Sequence, residues 1–479
     1  MQLRPGTNRP ACVFRTAVGI ALCLLPLAAR AGETACRIPD LAHEVRCGEV
    51  AARSEAVAIA YVRVPARARL ASTDAVYFVA GGPGQSATSL AGTMTGVLAR
   101  LNNRRDLVFV DVRGTGRSAP LDCPGEEALT MAERLDEAAM RAHVRRCAER
   151  HRSRPLALYG TPGAVADIEA VRGALGHDRI NVVAASYGTR VALAYRALHP
   201  DRVRAMVLDG VLPPDHSLAA HSAHHLSVAW DALLQACAED EACAALEPAA
   251  ALRVLLDAPP VQMVLRNPLT GATERVGSSP RMALALLRAT LHSPVAQSAL
   301  PAVLHLSRDG RMEPLLALAS SVWNARRAEG FARGAHMATI CNEDAVAPGP
   351  APPPAGRAGL FDGVTAEGYR TQCDDWRRPG ALPLPPLKTA TTPVLLLSGG
   401  LDPVTPPALA QRVADALGPQ ARHLVSPGGG HGLLAAGCTR DLVYRFVDDG
   451  MTGLDAPPGV ACLTQTPRPA FLPPPGAAP

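Results

Sequence analysis

What this chain lacks narrows its chemistry first. It has a single lysine, Lys388, so nearly all of its positive charge is arginine, a bias of GC-rich coding that its many Ala and Pro share. The formal charge of +5 is not a basic face. Arg4, Arg9, Arg15 and Arg30 lie in the first 31 residues, which hold no acidic residue, and setting them aside leaves 44 basic residues against 43 acidic. Without a clustered basic face, no nucleic-acid partner is expected. None of the twelve cysteines stands in a C-x-x-C pair, which argues against a zinc site. No segment beyond the leader is long and apolar enough to span a bilayer. There are no internal repeats, and neither cofactor nor metal is called for.

What is present begins with an export signal. Residues 1–31 read as a signal peptide: arginines at the start, an apolar stretch from Ala17 to Ala28, then Ala29-Arg30-Ala31 as a small-x-small cleavage site. The run is short for a membrane anchor and Pro26 interrupts it. A secreted or periplasmic protein without stable membrane insertion is expected. Ten cysteines then remain, an even number that implies disulfides in an oxidising compartment. Neighbour-with-neighbour pairing is the simplest arrangement: Cys36–Cys47, Cys123–Cys147, Cys237–Cys243, Cys341–Cys373 and Cys438–Cys462. Sequence order alone leaves other connectivities open.

Six short apolar runs with glycine-rich ends read as buried parallel strands: Val76–Val79, Leu107–Val110, Ile180–Ala184, Ala205–Asp209, Val394–Leu397 and Ala421–Val425. Helical stretches such as 164–175 and 189–198 alternate with them, which predicts a doubly wound, mostly parallel α/β sheet. Between about 212 and 386 the strand pattern stops. Amphipathic stretches at 226–237, 282–291, 299–306 and 315–328 predict an inserted helical lid over the strand ends, followed by the proline-rich run 348–354. The expected organisation is a leader (1–31), a first core part (32–211), a lid (212–386), a second core part (387–465) and a disordered Pro-rich tail (466–479).

Three strand ends offer reactive residues. Ser186, after Ala184-Ala185 and before Tyr187-Gly188, sits where a sharp strand-to-helix turn would expose its hydroxyl. Asp402 follows the strand of Val394–Leu397, and His431 lies in Gly428-Gly429-Gly430-His431-Gly432. The order Ser, Asp, His is that of the α/β-hydrolase triad. A serine needs a base, and the base needs an orienting acid. Asp402 is preferred to Asp209, another strand-end acid, because its strand directly precedes the one leading to His431. Ala80-Gly81-Gly82-Pro83-Gly84 fits an oxyanion loop, with the backbone N–H groups of Gly82 and Tyr187 as donors. No Lys-Ser/Thr follows it, as a phosphate loop would require. Asp111 and Arg113 flank a glycine turn and read as an ion pair. Asp215, His216, His221, His224 and His225 cluster, but no acidic zinc-protease motif accompanies them, so a lid-surface cluster is expected.

With these motifs placed, the chain resembles the secreted bacterial peptidases of the prolyl iminopeptidase and tripeptidyl aminopeptidase group, within the α/β-hydrolases. The resemblance rests on G-G-P-G at Gly81 to Gly84, D-x-R-G-x-G-x-S from Asp111 to Ser118, S-Y-G-T from Ser186 to Thr189, and G-x-x-D-P-V-T-P from Gly399 to Pro406. Thr391 to Cys462, with His431-Gly432 and Cys438, resembles the C-terminal domain of the tripeptidyl aminopeptidases. Ala80 and Ala184 stand where the family has histidine and glycine. The resemblance implies an exported serine aminopeptidase acting on short peptides, with an esterase on the same core as the alternative. It also implies that Glu343 and Asp344, in a Cys-x-Glu-Asp stretch of the lid, bind the substrate's free amine.

Overall fold

The computed structural model describes residues 32–52, 57–267, 270–327, 330–344, 359–361, 366–378, 380, 382–389, 391–457 and 459–473. The leader 1–31 and the proline-rich run 348–354 lie outside them.

Eleven strands are present among these residues. They are β1 (Thr34–Cys36), β2 (Val45–Ala51), β3 (Ala58–Val64), β4 (Ala75–Val79), β5 (Leu107–Val110), β6 (Ile180–Ala185), β7 (Val203–Asp209), β8 (Gln262–Arg266), β9 (Thr273–Gly277), β10 (Val394–Gly399) and β11 (Ala421–Ser426). Nine form one sheet in the order β1-β2-β3-β5-β4-β6-β7-β10-β11. The six strands read from the sequence are its parallel part. The antiparallel strands β1, β2 and β3 extend it at one edge.

The parallel strands read as unbroken apolar runs because both of their faces are buried. Side chains alternate between faces. On β4, Tyr77 and Val79 join the core beneath helices Thr161–Leu175 and Tyr187–Leu198, while Val76 and Phe78 join the core on the opposite face. β2 was not foreseen because its sequence, VRCGEVA, alternates burial with exposure and carries charge. Cys36–Cys47 ties β1 to it.

Between β7 and β10 lies the helical insertion, which also holds a β8–β9 hairpin that the sequence reading lacked. Its helices include Leu218–Ala238, Pro280–Thr290, Pro294–Ser307 and Arg333–Glu343. The first three begin at serine caps: Ser217, Ser279 and Ser293 accept from Ala220, Met282 and Ala296 backbone N–H groups. Proline follows the cap directly at Pro280 and Pro294, where its missing N–H costs nothing. Trp230, Leu233, Leu286, Leu287 and Leu300 pack together as the insertion's own core.

The tail departs from expectation. Its residues 466–473 are packed, not loose: Gly428 N–H donates to Thr466 O (2.9 Å) and Leu472 N–H to Ser298 O (3.1 Å). Asp111 and Arg113 do not pair with each other. Arg113 makes a buried bidentate pair with Asp167 (3.0 and 2.6 Å), while Asp111 accepts from Ser86 Oγ (2.8 Å), Thr88 (N–H and Oγ) and Arg117 N–H. Asp111 therefore anchors the segment that follows the Gly81–Gly84 turn.

Five disulfides join Cys36–Cys47, Cys123–Cys147, Cys237–Cys243, Cys341–Cys373 and Cys438–Cys462. The protein lacking residues 1–31 is therefore expected to show no reactive thiol in non-reducing guanidinium. Two or more thiols per chain in that titration would contradict the five-bridge arrangement.

Candidate active site

Ser186 occupies a turn that few side chains tolerate. Its φ of 55° and ψ of −127° lie outside the regions open to ordinary residues, between β6 and helix Tyr187–Leu198. Its N–H donates to Asp209 O (2.8 Å), which ties the turn to the end of β7. The glycines around it are needed for space. A Cβ on Gly81 would stand 2.8 Å from Ser186 Cβ, and one on Gly188 would stand 2.4 Å from Val79 O. Ala184 is accommodated because its methyl group faces the buried core.

His431 meets Ser186 from the loop after β11. Its Nε2 lies 2.9 Å from Ser186 Oγ and its Nδ1 lies 2.8 Å from Asp402 Oδ2. Asp402 is buried, which alone would raise its pKa, but His431 and hydrogen bonds from Thr405 hold the carboxyl down at about 2. It is thus ionised and can only accept, so Nδ1 carries the proton and the Nε2 lone pair faces the serine hydroxyl. Asp402 Oδ1 accepts from the N–H groups of Val404 (2.8 Å) and Thr405 (3.0 Å), and Oδ2 accepts from Thr405 Oγ1 (2.7 Å). Thr405 was not singled out in the sequence. Its signal was an Asp followed three residues later by Thr, a local turn in which the carboxylate binds the backbone ahead of it.

Asp209, the rival acid, sits on the loop side of His431. Its Oδ2 accepts from the N–H groups of Leu433 (2.7 Å) and Leu434 (2.8 Å), clamping the segment just after the histidine. Its Oδ1 is buried without a partner among the described residues. Burial pushes this carboxyl up to about 6.

The turn Gly81–Gly84 lies against Ser186 and is held by the insertion. Ala332 N–H donates to Gly84 O (2.8 Å), Ser86 N–H to Gly330 O (3.1 Å), and Gln85 bridges Phe331. His336 Nδ1–H donates to Pro83 O (3.1 Å), and its Nε2 accepts from Tyr369 OH (2.9 Å). Tyr187 supplies the first N–H of its helix, which has no acceptor within the helix. Its side chain points away, with its hydroxyl 2.8 Å from Thr161 Oγ1.

A cavity of about 550 Å³ opens over Ser186 and His431. Its lining includes Gly82 and is largely apolar, with Phe78, Met94, Leu226, Ile340 and Leu434.

Glu343 and Asp344 are not in that lining, which corrects the expected amine site. Both carboxylates are buried against Arg190, one turn along the helix that Ser186 begins. Arg190 Nη1 lies 2.8 Å from Asp344 Oδ1 and 3.3 Å from Glu343 Oε2. Glu343 also accepts from Thr161 Oγ1 (3.0 Å), and Asp344 accepts from Leu218 N–H (2.9 Å). Two carboxylates that already share a buried guanidinium are not free to receive an ammonium group. The sequence pattern showed their acidity but not the arginine, which lies more than 150 residues away in the chain.

The histidine cluster is likewise corrected, because it is not a surface feature throughout. His216 is buried and its ring stacks on His221 and His225 at 4.0 and 5.1 Å. Burial pushes His216 down to about 2 and His225 to about 4, so both are neutral near pH 7. Among the described residues, the one trio of close metal-ligand types is Cys123, Glu126 and His143, and that cysteine is spent in a disulfide.

The fold and these residues define a class, and the family comparison agrees. The chain has the α/β-hydrolase fold: residues 74–239 match the family model described as alpha/beta hydrolase fold, and residues 359–461 match the model described as TAP-like protein. Among individual proteins, it is 33% identical over 175 residues to the serine protease Hip1 of Mycobacterium tuberculosis, covering 34% of this chain and 33% of the relative. It is 34% identical over 158 residues to the tripeptidyl aminopeptidase of Streptomyces lividans, covering 29% of each. It is 31% identical over 137 residues to the proline iminopeptidase of Neisseria meningitidis, covering 28% of this chain and 32% of that one. The matches span about a third of the length of these relatives.

Two outcomes follow from the carboxylates. A folded-state pKa raised from 3.8 to about 6 means that Asp209 favours folding most below pH 4 and loses that advantage as pH rises through 6. Asp209→Asn keeps an acceptor for Leu433 and Leu434 without the charge. Its stability relative to the unsubstituted protein should therefore improve by about 2 kcal/mol between pH 4 and pH 8. Urea unfolding of both proteins across that range measures it, and a pH-independent difference would reject the buried-charge account. Arg190→Met should strand two buried carboxylates and cost about 3–5 kcal/mol at pH 7. The same unfolding measurement tests this, and a loss under 1 kcal/mol would show that the network is dispensable.

Proposed function

We propose that this protein is an exported serine peptidase that cleaves short peptides through an acyl-enzyme on Ser186. The observation that carries the reading is the continuous hydrogen-bonded relay from Ser186 Oγ through His431 to Asp402. In this reading His431 Nε2 takes the hydroxyl proton as Ser186 Oγ attacks the carbonyl carbon. The oxyanion is received by the backbone N–H groups of Gly82 and Tyr187. His431, now charged and steadied by ionised Asp402, gives its proton to the leaving nitrogen. A water then repeats the sequence and releases the acid.

Peptide substrates are supported by the names of the relatives, each of which is a protease or a peptidase. Short substrates are supported by the insertion, which covers Ser186 and leaves a cavity suited to a few residues. Export is supported by five disulfides, since such bridges persist in oxidising compartments. Among the described residues, no helix is long and apolar enough to cross a membrane. Attack from a free N-terminus, as an aminopeptidase, rests on the relatives' names, because Glu343 and Asp344 are committed to Arg190. An esterase is the second reading. It is favoured by the apolar lining, in which Asp209 is the one carboxylate among the described residues.

A fluorophosphonate probe should label the protein at Ser186. Ser186→Ala and His431→Ala should each lower kcat by roughly four orders of magnitude or more, because triad members act as a unit. Rates on free peptides, N-acetylated peptides and esters of matched sequence separate the readings. Hydrolysis of esters without any peptide cleavage would replace the peptidase reading with the esterase.

A further inference from the structure

The cavity over Ser186 holds a cation without a partner among the described residues. Helix Pro280–Thr290 turns Met282, Ala283, Leu286 and Leu287 into the core of the insertion, while Arg288 lines the cavity shared with Ser186 and His431. Arg288 is half-buried, and its guanidinium makes no hydrogen bond or ion pair among the described residues. The other arginines near the site are matched: Arg113 with Asp167, Arg190 with Glu343 and Asp344, and Arg333 with Glu126. The one carboxylate in the lining, Asp209, is buried and turns Oδ2 to the backbone of Leu433 and Leu434. The cavity thus offers a substrate an unspent planar cation in apolar surroundings, the setting in which a guanidinium binds a carboxylate best.

The side of the cavity can also be read. His292, one turn beyond Arg288, donates from Nδ1 to Arg288 O (2.7 Å). The turn it occupies packs on Gly430, where a Cβ, if one were present, would stand 2.5 Å from Pro294 Cδ and 3.4 Å from His292 O. Gly430 immediately precedes His431, so Arg288 belongs to the wall that carries the histidine. In acyl transfer that base returns its proton to the departing group. A group held on its wall therefore belongs to the leaving half of the substrate.

We infer that Arg288 selects substrates that carry a carboxylate on the leaving half. This rests on the serine-peptidase reading and deepens it. The carboxylate has two possible sources, the free C-terminus of a short peptide or an acidic side chain next to the scissile bond, and Arg288 would meet the same chemistry in either.

The test uses the whole protein and two matched substrate pairs. One pair is a short peptide with a free or amidated C-terminus. The other, amidated throughout, has Glu or Gln as the first residue of the leaving half. At least one pair should favour the carboxylate by about ten- to a hundredfold in kcat/KM, mainly through KM, as a charge-assisted hydrogen bond would give. Arg288→Gln should erase that preference, Arg288→Lys should keep part of it, and Arg288→Glu should reverse it. The pair that responds identifies the source. A preference that survives Arg288→Gln, or equal rates within both pairs, overturns the assignment. Fluorophosphonate labelling of Ser186 separates this failure from a broader one: no labelling of the unsubstituted protein would overturn the serine-hydrolase reading beneath it.

Discussion

The left-handed turn at Ser186 is the constraint on which the site depends. Holding a non-glycine residue there costs about 1–3 kcal/mol, which surrounding structure must offset. Here the offset comes from three directions. β6 and β7 fix the backbone through the Ser186 N–H to Asp209 O bond. The following helix is held from behind by Arg190, with Glu343 and Asp344 closing the contact from the insertion. The glycine turn Gly81–Gly84 fits against the serine because no Cβ intervenes.

Asp209 and Asp402 show how two buried strand-end acids come to differ. Both lose solvation, but Asp402 faces His431 and three donor groups of its own turn, and it stays charged. Asp209 has, among the described residues, two backbone donors on one oxygen and none on the other, so its charge is poorly compensated. The pair divides the work: one acid orients the imidazole ring, the other fixes the chain that carries it.

The parallel half of the sheet was legible because strands buried on both faces leave uninterrupted apolar runs, and the three reactive side chains stand at the ends of such runs. β1 and β2 were missed because this edge of the sheet is only partly buried, and the charges of β2 break the pattern. The hairpin β8–β9 was missed for the same reason, since its strands alternate burial with exposure. The roles of Glu343 and Asp344 were misread because a carboxylate's function is set by its partner, and Arg190 reaches them only through the fold. Arg288 was invisible in sequence for the converse reason: its interest lies in having no partner among the described residues, which only the packing of its neighbours reveals. The Pro-rich tail was misjudged from composition, since proline also suits an extended strip lying along a surface, as residues 466–473 do beside Gly428 and Ser298.

The backbone pairing of Gly330–Ala332 with Gly84–Ser86 carries one further consequence. The strand-like seam that screens the cavity at this edge is the same seam that shapes the turn beside the serine. Prising it apart to admit a longer polypeptide would release the turn's backbone from its mould. Access and competence therefore pull against each other at this edge, and a molecule that reaches the serine without parting the seam meets a turn already in shape.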